Sequence, residues 1–445
     1  MILPAAPDQA GLAGLADLAD LAAPVLARLH MPVRGLEYSK SFCHKYFAMK
    51  IAVLLSGGVD SSVALHQVKN QGFTDITAYY LKIWLEDDVS FLGECPWEED
   101  LSYARAVCRQ AGVELRVLPL QLEYYDKVVS YALAELKKGR TPSPDIFCNQ
   151  RIKFGAFFDA VDEEYDLVVT GHYADVRKGD DGLHHLYQAP DPVKDQSYFL
   201  SHLSQEQVSK LWFPLGSMQK TQVREHAESL DLPNKARKDS QGICFLGKIK
   251  YPDFVRHYLG EKDGAIVRRE NGEQLGTHKG FWFHTIGQRT GLGLGNGPWY
   301  VVDKDSEQNI VYVSHKSDIE NAFSRSFICT ELTWIAGRPP RWLNDSLTRP
   351  GDHRSLKLKL RHGPKMSECR VRLAGREELE QAGLGAGDLE DPQPRLLVEM
   401  ADGDKGLAPG QFAVFYLDDE CIGSGKIERA MHQNMHQNAG AVANA

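Results

Sequence analysis

The most constraining feature of this chain is an aliphatic run at residues 51–55 that continues into Ser-Gly-Gly-Val-Asp-Ser-Ser at residues 56–62. A run of branched aliphatic residues is typical of a buried strand in a parallel sheet. Two adjacent glycines allow a sharp turn and a close approach of the backbone to a ligand. A helical pattern follows, and the amides at a helix N-terminus bind anions. The segment therefore predicts a strand, a phosphate-binding loop and a helix.

This loop differs from the two commoner nucleotide-binding turns. A Walker loop needs Gly-Lys-Ser/Thr after a longer spacer, and a Rossmann turn needs Gly-x-Gly-x-x-Gly. Neither pattern fits residues 56–62. The hydroxyls of Ser56, Ser61 and Ser62 are small donors for phosphate oxygens, so a phosphate chain is the expected ligand. The sequence SGGVDSS resembles the loop of the N-type ATP pyrophosphatases, which cleave ATP between its α and β phosphates.

Strands and helices alternate from residue 50 to about residue 171. Strands are expected at 51–55, 76–83, 114–120 and 166–170, and helices at 101–110 and 124–138. This alternation predicts an α/β domain with a doubly wound parallel sheet over residues 49–250. In such sheets ligands bind beyond the carboxyl ends of the strands. Ser56 and Gly171 each follow a strand, so both are expected at that edge.

Beyond residue 251 the pattern changes to short β segments separated by Gly, Asn or Asp. Strands are expected at 264–268, 280–284, 299–303, 309–314, 355–362, 395–399 and 411–416. These segments predict a small central β domain over residues 251–322 and a C-terminal β-barrel over residues 323–430. Residues 373–394 are charged and aperiodic, and we expect a surface loop there.

Both ends of the chain lie outside these domains. Residues 1–48 repeat Ala, Leu and Asp, and they fit a short amphipathic helix, a disordered leader or a transit peptide. The acids Asp8, Asp17 and Asp20 count against a transit peptide. The tail at 431–445 is expected to be disordered. No apolar run approaches the ~20 residues that span a membrane. The expected location is a mitochondrion or plastid if the protein is eukaryotic, and the cytoplasm if it is bacterial.

Two cysteines stand in segments that suit sulfur chemistry. Cys148 ends Thr-Pro-Ser-Pro-Asp-Ile-Phe-Cys, in which two prolines predict an extended, stiff loop that presents Asp145. Arg151 and Lys153 follow, and neighbouring cations lower the pKa of a thiol. Cys244 follows the polar turn at residues 238–242. Sequence spacing does not show that the two sulfurs meet. If they do, one can carry a persulfide and the other can resolve it by forming a disulfide.

Seven motifs occur in a fixed order, and together they resemble those of the tRNA-specific 2-thiouridylases. They are SGGVDSS, PSPDIFCN with RIKFG, TGHYA, KDQSYFL, RKDSQGICF, HTIGQRTGLG and PGQFAVFY, between about residues 49 and 428. The resemblance implies an ATP pyrophosphatase domain, a central β domain and a β-barrel. It also implies that the enzyme adenylates the C2 oxygen of the wobble uridine in a tRNA anticodon and then replaces this oxygen with sulfur.

The resemblance assigns residues to the two halves of this reaction. ATP is expected on Leu54, Leu55, Ser56, Gly57, Gly58, Val59, Asp60 and Ser61, with Leu81 and Gly171 at the adenine and ribose. Cys244 matches the persulfide carrier, Cys148 its partner nucleophile and Asp145 the acid/base residue. Mg²⁺ is expected with the nucleotide. No dedicated protein metal site is predicted, because the eight cysteines contain no Cys-x-x-Cys pair.

The resemblance also implies partners and contacts with RNA. Ser143, Pro144 and Asp145 are expected at the target base, and His172, Lys194, Asp195, Gln196, Arg361, His362 and Gln411 elsewhere on the tRNA. The expected partners are tRNAs for Lys, Glu and Gln, and a persulfide donor or cysteine desulfurase relay. Residues 356–361 alternate, so Lys357, Lys359 and Arg361 share a strand face. The net charge of −9 argues weakly against a nucleic-acid partner but does not exclude one.

Two departures and two alternatives remain open at this point. The family usually has Asn where this chain has Ser143, so the base contact there is expected to differ. Residues 91–100 are more similar to plant or algal relatives than to enterobacterial ones. One alternative is another adenylating ligase with the same loop, which would need neither cysteine. The other is a non-catalytic tRNA-binding relative, which would need no pair of thiols.

Overall fold

The computed structural model describes residues 49–83, 97–161, 164–239, 250–319, 324–341, 354–384, 394–404 and 406–431. The leader at 1–48 and almost all of the tail therefore lie outside the described residues. The segment that contains Cys244 and most of residues 91–100 also lie outside them.

The described residues form strands in three sheets. They are β1 Ile51–Leu54, β2 Ile76–Lys82, β3 Glu114–Pro119, β4 Leu167–Val169, β5 Ala174–Lys178, β6 His184–Gln188, β7 Leu211–Trp212, β8 Gly264–Arg268, β9 Gln274–His278, β10 Trp299–Asp305, β11 Ile310–His315, β12 Ser324–Trp334, β13 Arg354–Lys359, β14 Ser367–Leu373, β15 Leu396–Asp404, β16 Phe412–Leu417 and β17 Glu420–Met431.

Most helices belong to the first domain. The α-helices are α1 Val59–Asn70, α2 Trp97–Ala111, α3 Gln121–Tyr124, α4 Ser130–Lys137, α5 Pro144–Phe147, α6 Phe157–Ala160, α7 Ser197–Leu200, α8 Gln205–Ser209, α9 Lys220–Ser229, α10 Tyr251–Leu259 and α11 Arg376–Gln381. Wider π-helical turns, Tyr125–Val129 and Cys148–Ala156, continue α3 and α5. In the described part of the chain, no helix is long and apolar enough to cross a membrane.

The first sheet confirms the predicted doubly wound architecture. Its strand order is β3-β2-β1-β4-β7, and every neighbouring pair is parallel. All four residues of the central strand β1 are buried, as its aliphatic sequence requires. Leu54 pairs with Tyr79, so β1 and β2 end at the same edge of the sheet. The loop that follows β1 therefore opens at the edge where ligands bind in this fold.

The central domain has a four-stranded sheet in the order β10-β11-β8-β9. The strand expected at 280–284 is wrong, because Phe281–Phe283 forms a 3₁₀ turn. Gly280 has φ 140° and ψ 130°, which turns the chain sharply before the aromatic residues. The sequence Phe-Trp-Phe also lacks the apolar–polar alternation of a half-buried strand.

The last domain is a β-barrel, as predicted, and the structure shows that six strands close it. Its order is β12-β15-β14-β13-β16-β17, and pairing of β12 with β17 closes it. The hairpin β5–β6 of the first domain adds to the barrel sheet through β17. Within the expected loop at 373–394, the structure instead has helix α11, and residues 385–393 lie outside the described range. Leu379 and Ala382 pack with Ile328 and Leu397, which explains why this charged segment is helical.

Candidate active site

The loop after β1 has the conformation that its two glycines predict. Gly57 has φ 74°, and a Cβ atom there would overlap the Asp100 carbonyl group. The Ser56 amide donates to the Ser61 hydroxyl over 3.2 Å, and the two hydroxyls also lie 3.2 Å apart. Ser62 donates to the Gly58 carbonyl over 2.9 Å. The hydroxyls thus fix a turn that leads directly into α1, whose N-terminus favours an anion.

Two residues that sequence reasoning missed brace this turn from outside. The buried amide of Asn234 donates to the Gly57 carbonyl over 2.8 Å and to the Ser62 hydroxyl over 2.9 Å. Arg237 donates to the same carbonyl over 3.1 Å and forms an ion pair with Asp100. The one available signal was the position of Arg237 at the start of the RKDSQGICF motif.

Gly171 lies directly against the loop. A Cβ atom at this position would be 2.6 Å from the Ser61 nitrogen, so only glycine fits here without displacing α1. Leu81 is partly buried on β2, opposite Leu118 of β3, near the end of the strand. Both residues therefore lie at the carboxyl edge where the loop opens.

Asp60 connects the loop to a network that we call the lysine–aspartate cluster, comprising Asp60, Lys194, Lys220, Arg224 and Asp239. Lys220 Nζ lies 2.6 Å from Asp60 Oδ1 and 2.8 Å from Asp239 Oδ1. Lys194 Nζ lies 2.6 Å from Asp239 Oδ2, and Arg224 also pairs with Asp239. Burial opposes ionisation of Asp239, but hydrogen bonds from Lys194 and Lys220 outweigh it and lower its pKa to about 2.

The cluster has two further properties that bear on the site. The Tyr173 hydroxyl donates to Asp60 Oδ1 over 2.8 Å, and burial together with Asp60 raises the pKa of Tyr173 far above its usual value. Asp239 is the last described residue before the segment that carries Cys244. The phosphate loop is therefore linked by ion pairs to the residue that directly precedes that segment.

Cys148 does not lie on the extended loop that the prolines predicted. Pro144 is the first residue of helix α5, and Cys148 begins the π-helical turns that follow. Proline is favoured at the first helical position, where its missing N–H is not needed, so Ser-Pro here marks a helix start. Cys148 is 0% exposed. Arg151 stacks over the Phe147 ring at 3.8 Å and donates to the Lys127 carbonyl. The predicted thiolate character of Cys148 stays a prediction.

Asp145 lies at a seam between the first domain and the barrel. The Asn149 amide donates to the carbonyls of Asp145 and Phe199, over 3.1 and 3.2 Å. The Phe199 ring stacks on His362 with centroids 4.7 Å apart. Burial and Lys359 lower the pKa of His362, whereas Asp195 and Asp145 oppose that shift. The Phe199–His362 stack and the Asn149 hydrogen bonds therefore connect the Asp145 segment to the barrel.

Gln411 is held beside the same segment. The Thr141 amide donates to the Pro409 carbonyl over 2.7 Å, and a Cβ atom on Gly410 would be 2.9 Å from the Thr141 carbonyl. Ser143 and Pro144 follow shortly after this contact. Arg361 forms an ion pair with Asp404 and is exposed. Gln411 thus directly follows the Pro409–Gly410 contact with Thr141, and Thr141 is two residues before the 143–145 segment that is predicted to face the base.

Three of the residues predicted to contact RNA have side chains that bind other groups of the protein. Asp195 is 1% exposed and pairs with the equally buried Lys359 at 2.6 Å. His172 bonds Thr170 over 2.6 Å, and burial together with Lys153 lowers its pKa well below its usual value. The Gln196 side chain accepts the Tyr173 amide over 3.0 Å. We therefore correct the expectation that the Asp195 side chain contacts tRNA, since this carboxylate is buried in an ion pair. Lys359 shares its strand face with Lys357 and Arg361 in sequence, but its ammonium group is equally buried.

Models of sequence families match three consecutive parts of the chain. A model described as the tRNA methyl transferase HUP domain matches residues 49–248, and a tRNA methyl transferase PRC-barrel domain matches residues 252–315. An aminomethyltransferase β-barrel domain matches residues 389–427. In the parts described, the structure has no group of three or more His, Cys, Asp or Glu residues that could hold a metal ion.

Curated relatives are similar over 85–86% of the chain. The tRNA-specific 2-thiouridylase MnmA 1 of Bacteroides thetaiotaomicron is 45% identical over 384 residues, which cover 86% of this chain and 100% of the relative. MnmA 2 of Bacteroides fragilis is 43% identical, with 85% and 100% covered. MnmA of Porphyromonas gingivalis is 39% identical, with 86% and 99% covered. The match to a solved NMN synthetase from Francisella tularensis covers 53% of this chain and 80% of the synthetase chain, at 16% identity and a TM-score of 0.32.

Proposed function

The chain belongs to the family of tRNA-specific 2-thiouridylases, and from this premise we propose that it uses ATP to replace the C2 oxygen of a wobble uridine in tRNA with sulfur. The observation that carries the proposal is the ion-pair link from the phosphate loop to Asp239, which directly precedes the segment that contains Cys244. Asp60 of the loop and Asp239 share the ammonium group of Lys220. Such a link suits an enzyme that activates an oxygen and then delivers sulfur at the same place.

In the first half-reaction the uridine C2 oxygen attacks the α phosphorus of ATP, and pyrophosphate leaves. The charge that develops on pyrophosphate requires cationic stabilisation, which is the largest contribution in many phosphoryl and adenylyl transfers. The loop has no lysine of its own, so we assign this role to Lys220, whose Nζ is 2.6 Å from Asp60. The amides at the start of α1 and the hydroxyls of Ser56 and Ser61 hold the phosphate oxygens.

In the second half-reaction the terminal sulfur of a Cys244 persulfide forms a bond to C2, and AMP leaves with the former uridine oxygen. The Cys148 thiolate then attacks the inner sulfur of Cys244. The electron pair of the broken S–S bond stays on the transferred sulfur, and a Cys148–Cys244 disulfide forms. An external thiol reduces this disulfide before the next cycle. Asp145 accepts the N3 proton of the uridine as the C2 oxygen is adenylated, and returns it to N3 when 2-thiouridine is released.

The participants are assigned by the same reasoning. A Mg²⁺ ion bound with ATP fits Asp60, because the Asp60 carboxylate is partly exposed at the phosphate loop and oxygen ligands suit this ion. The ion would supply additional positive charge at the phosphates. The proposed RNA substrates are tRNAs for Lys, Glu and Gln, and the proposed sulfur source is a persulfide donor or a cysteine desulfurase relay. His362 and Gln411 are the proposed barrel contacts.

Mass spectrometry of nucleosides tests this function. The full chain is incubated with ATP, Mg²⁺, a persulfide donor and unmodified tRNA for Lys, with no S-adenosylmethionine present. We expect 2-thiouridine at the wobble position, and we expect none when ATP is omitted. Unchanged uridine under these conditions would contradict the proposal. A methylated nucleoside, formed only when S-adenosylmethionine is added, would instead support the activity named by the family models.

Cysteine variants separate this function from an adenylating ligase with the same fold. A ligase would form its product without either thiol, whereas sulfur transfer depends on both. We expect C148S and C244S to form no 2-thiouridine. C369S is the matched control, because Cys369 is a buried thiol on β14 of the barrel. Full 2-thiouridine formation by C148S and C244S would rule out the sulfur transfer described above.

A further inference from the structure

A cleft of about 350 Å³ opens where the three domains meet. One wall is formed by residues 138–140, which follow α4, and a second by residues 302–304 of β10. The barrel contributes residues 428–430 of β17. The mechanism above makes no use of this cleft, although all three domains contribute to it.

The charges in the cleft favour an anion. Five cationic side chains line it: Lys138, Arg140, Arg269, Lys304 and Arg429. Three carboxylates do so as well, and each of them is already bound to an arginine. Asp303 lies 2.6 Å from Arg269, and the other two acids pair as Glu428 with Arg140 and Asp404 with Arg361. The acids are therefore neutralised within the protein.

Two of the cations are left for a ligand. Within the described ranges, neither Lys304 nor Arg429 has a carboxylate at ion-pair distance, and each donates to a backbone carbonyl. Lys304 Nζ donates to the His284 carbonyl over 2.9 Å, and Arg429 donates to the Ala382 carbonyl over 3.4 Å. Burial lowers the pKa of Lys304 to about 8, although Asp303 opposes that shift. A bound anion would restore the stabilisation that this ammonium group has lost by leaving water.

The cleft also lies next to the segment that is proposed to face the target base. Arg140 and Pro409 line the cleft, and the Thr141 amide donates to the Pro409 carbonyl over 2.7 Å. Asp145 is four residues beyond Thr141, and four residues span at most about 14 Å even when fully extended. A nucleotide that neighbours the target uridine can therefore place its phosphate within reach of the cleft.

We propose that this cleft binds a backbone phosphate of the substrate RNA close to the target nucleotide, with Lys304 and Arg429 as its cationic contacts. The inference rests on the proposed function, which supplies the RNA. Phosphate contacts of this kind position an RNA without reading its sequence. The cleft would thus hold the anticodon loop in register while the C2 oxygen meets the α phosphorus of ATP.

Equilibrium binding of unmodified tRNA to the full chain gives the first test. We expect Lys304→Met to weaken tRNA binding by about tenfold and to reduce the slope of log affinity against log salt by about one. Lys279→Met is the matched control, because Lys279 is an exposed lysine of the same small domain that pairs with Asp263. Unchanged affinity for Lys304→Met, with or without a lower unfolding temperature, would overturn the inference, even where the unaltered chain still forms 2-thiouridine.

Chemical labelling distinguishes the two sources of phosphate. An amine-acylating reagent is applied at pH 8 to the unaltered chain, and modification of Lys304 and Lys279 is measured by peptide mass spectrometry. We expect tRNA to protect Lys304 but not Lys279, and we expect inorganic pyrophosphate at the same phosphate concentration to protect neither. Equal protection of Lys304 by pyrophosphate would assign the cleft to a small anion and overturn the RNA assignment. Modification of Lys304 that tRNA does not reduce would also overturn it.

Discussion

The phosphate loop and the π-helical turns that begin at Cys148 both belong to the first domain, but different kinds of contact fix their positions. Polar contacts fix the loop, because the side chains of Asn234 and Arg237 donate hydrogen bonds to the Gly57 carbonyl. The Ser56 side chain remains exposed. Apolar packing encloses Cys148, which is 0% exposed in the larger core cluster of this domain. The loop is thus ready for its ligand, whereas the buried sulfur must become accessible before it can react.

The barrel is joined by a buried ion pair to the side of the first domain that is proposed to face RNA, and breaking this pair should have the largest effect on stability. Lys359 and Asp195 are each 1% exposed and lie 2.6 Å apart. Lys359→Met leaves a buried carboxylate without its cation and should lower the free energy of unfolding by about 3–5 kcal/mol. Urea unfolding measures this change. Lys357→Met on the same strand should cost less than about 0.5 kcal/mol. Equal effects of the two variants would mean that the buried pair does not support this side.

The loop side should depend most strongly on Lys220. Lys220→Met removes the ammonium group beside Asp60 and should slow tRNA-dependent pyrophosphate release by about a hundredfold to a thousandfold. Lys235→Met is the control, because Lys235 pairs with Asp231 at the surface after α9. Pyrophosphate release is measured at saturating ATP, so that the effect appears in kcat. A change confined to the KM for ATP would assign Lys220 to ground-state binding instead.

The rigidity of the loop can be tested by two glycines that share a left-handed conformation. Gly57 and Gly112 have φ 74° and 64°, but only a Cβ atom on Gly57 would meet the Asp100 backbone. Gly112→Ala should cost about 1 kcal/mol of stability from conformational strain alone. Gly57→Ala should cost about 2–3 kcal/mol and should also impair pyrophosphate release. If both variants behave alike, the loop is less tightly held than its contacts indicate.

His202 is buried against Phe147, the residue before Cys148, and should make the stability of the protein depend on pH. Burial and Arg151 lower the pKa of His202 to about 3, below its value of about 6.5 in an unfolded chain. The unfolded state therefore binds a proton that the folded state excludes, and stability falls as pH decreases from about 6.5 toward 3. His202→Gln should reduce the slope of unfolding free energy by about 1.4 kcal/mol per pH unit between pH 6 and 4. His226→Gln, at an exposed position on α9, is the matched control for removal of a histidine.

Local patterns predicted the loop side well, because its function depends on backbone shape. The strand at 51–54, the glycine turn and the helix from Val59 all follow from residue types at consecutive positions. Reasoning from local patterns fails where one sequence pattern is compatible with two different backbone structures. The Ser143-Pro144 pattern predicts an extended loop, whereas in the structure this proline begins α5. The aromatic residues 281–283 form a 3₁₀ turn because the backbone bends at Gly280. A pattern of apolar and polar residues does not predict such a bend.

Long-range electrostatics explain why the remaining site residues were missed or misplaced. Lys359 lies on a strand whose alternation predicts an exposed basic face, but its partner Asp195 is 164 residues away in sequence. Lys220 is 160 residues from Asp60 and belongs to a helix without a recognised motif. The packing of α9 against α1 brings this lysine beside the phosphate loop, and that contact is not visible in the sequence.

Parallel measurement of pyrophosphate and 2-thiouridine in Cys148→Ser tests the central claim most directly. The claim is that the loop side activates the uridine without help from the buried sulfur, whereas sulfur transfer requires it. The account predicts tRNA-dependent pyrophosphate release close to that of the unaltered chain, with no 2-thiouridine formed. Loss of pyrophosphate release as severe as the loss of 2-thiouridine would contradict the separation of the two sides, and full formation of 2-thiouridine would contradict the role of Cys148.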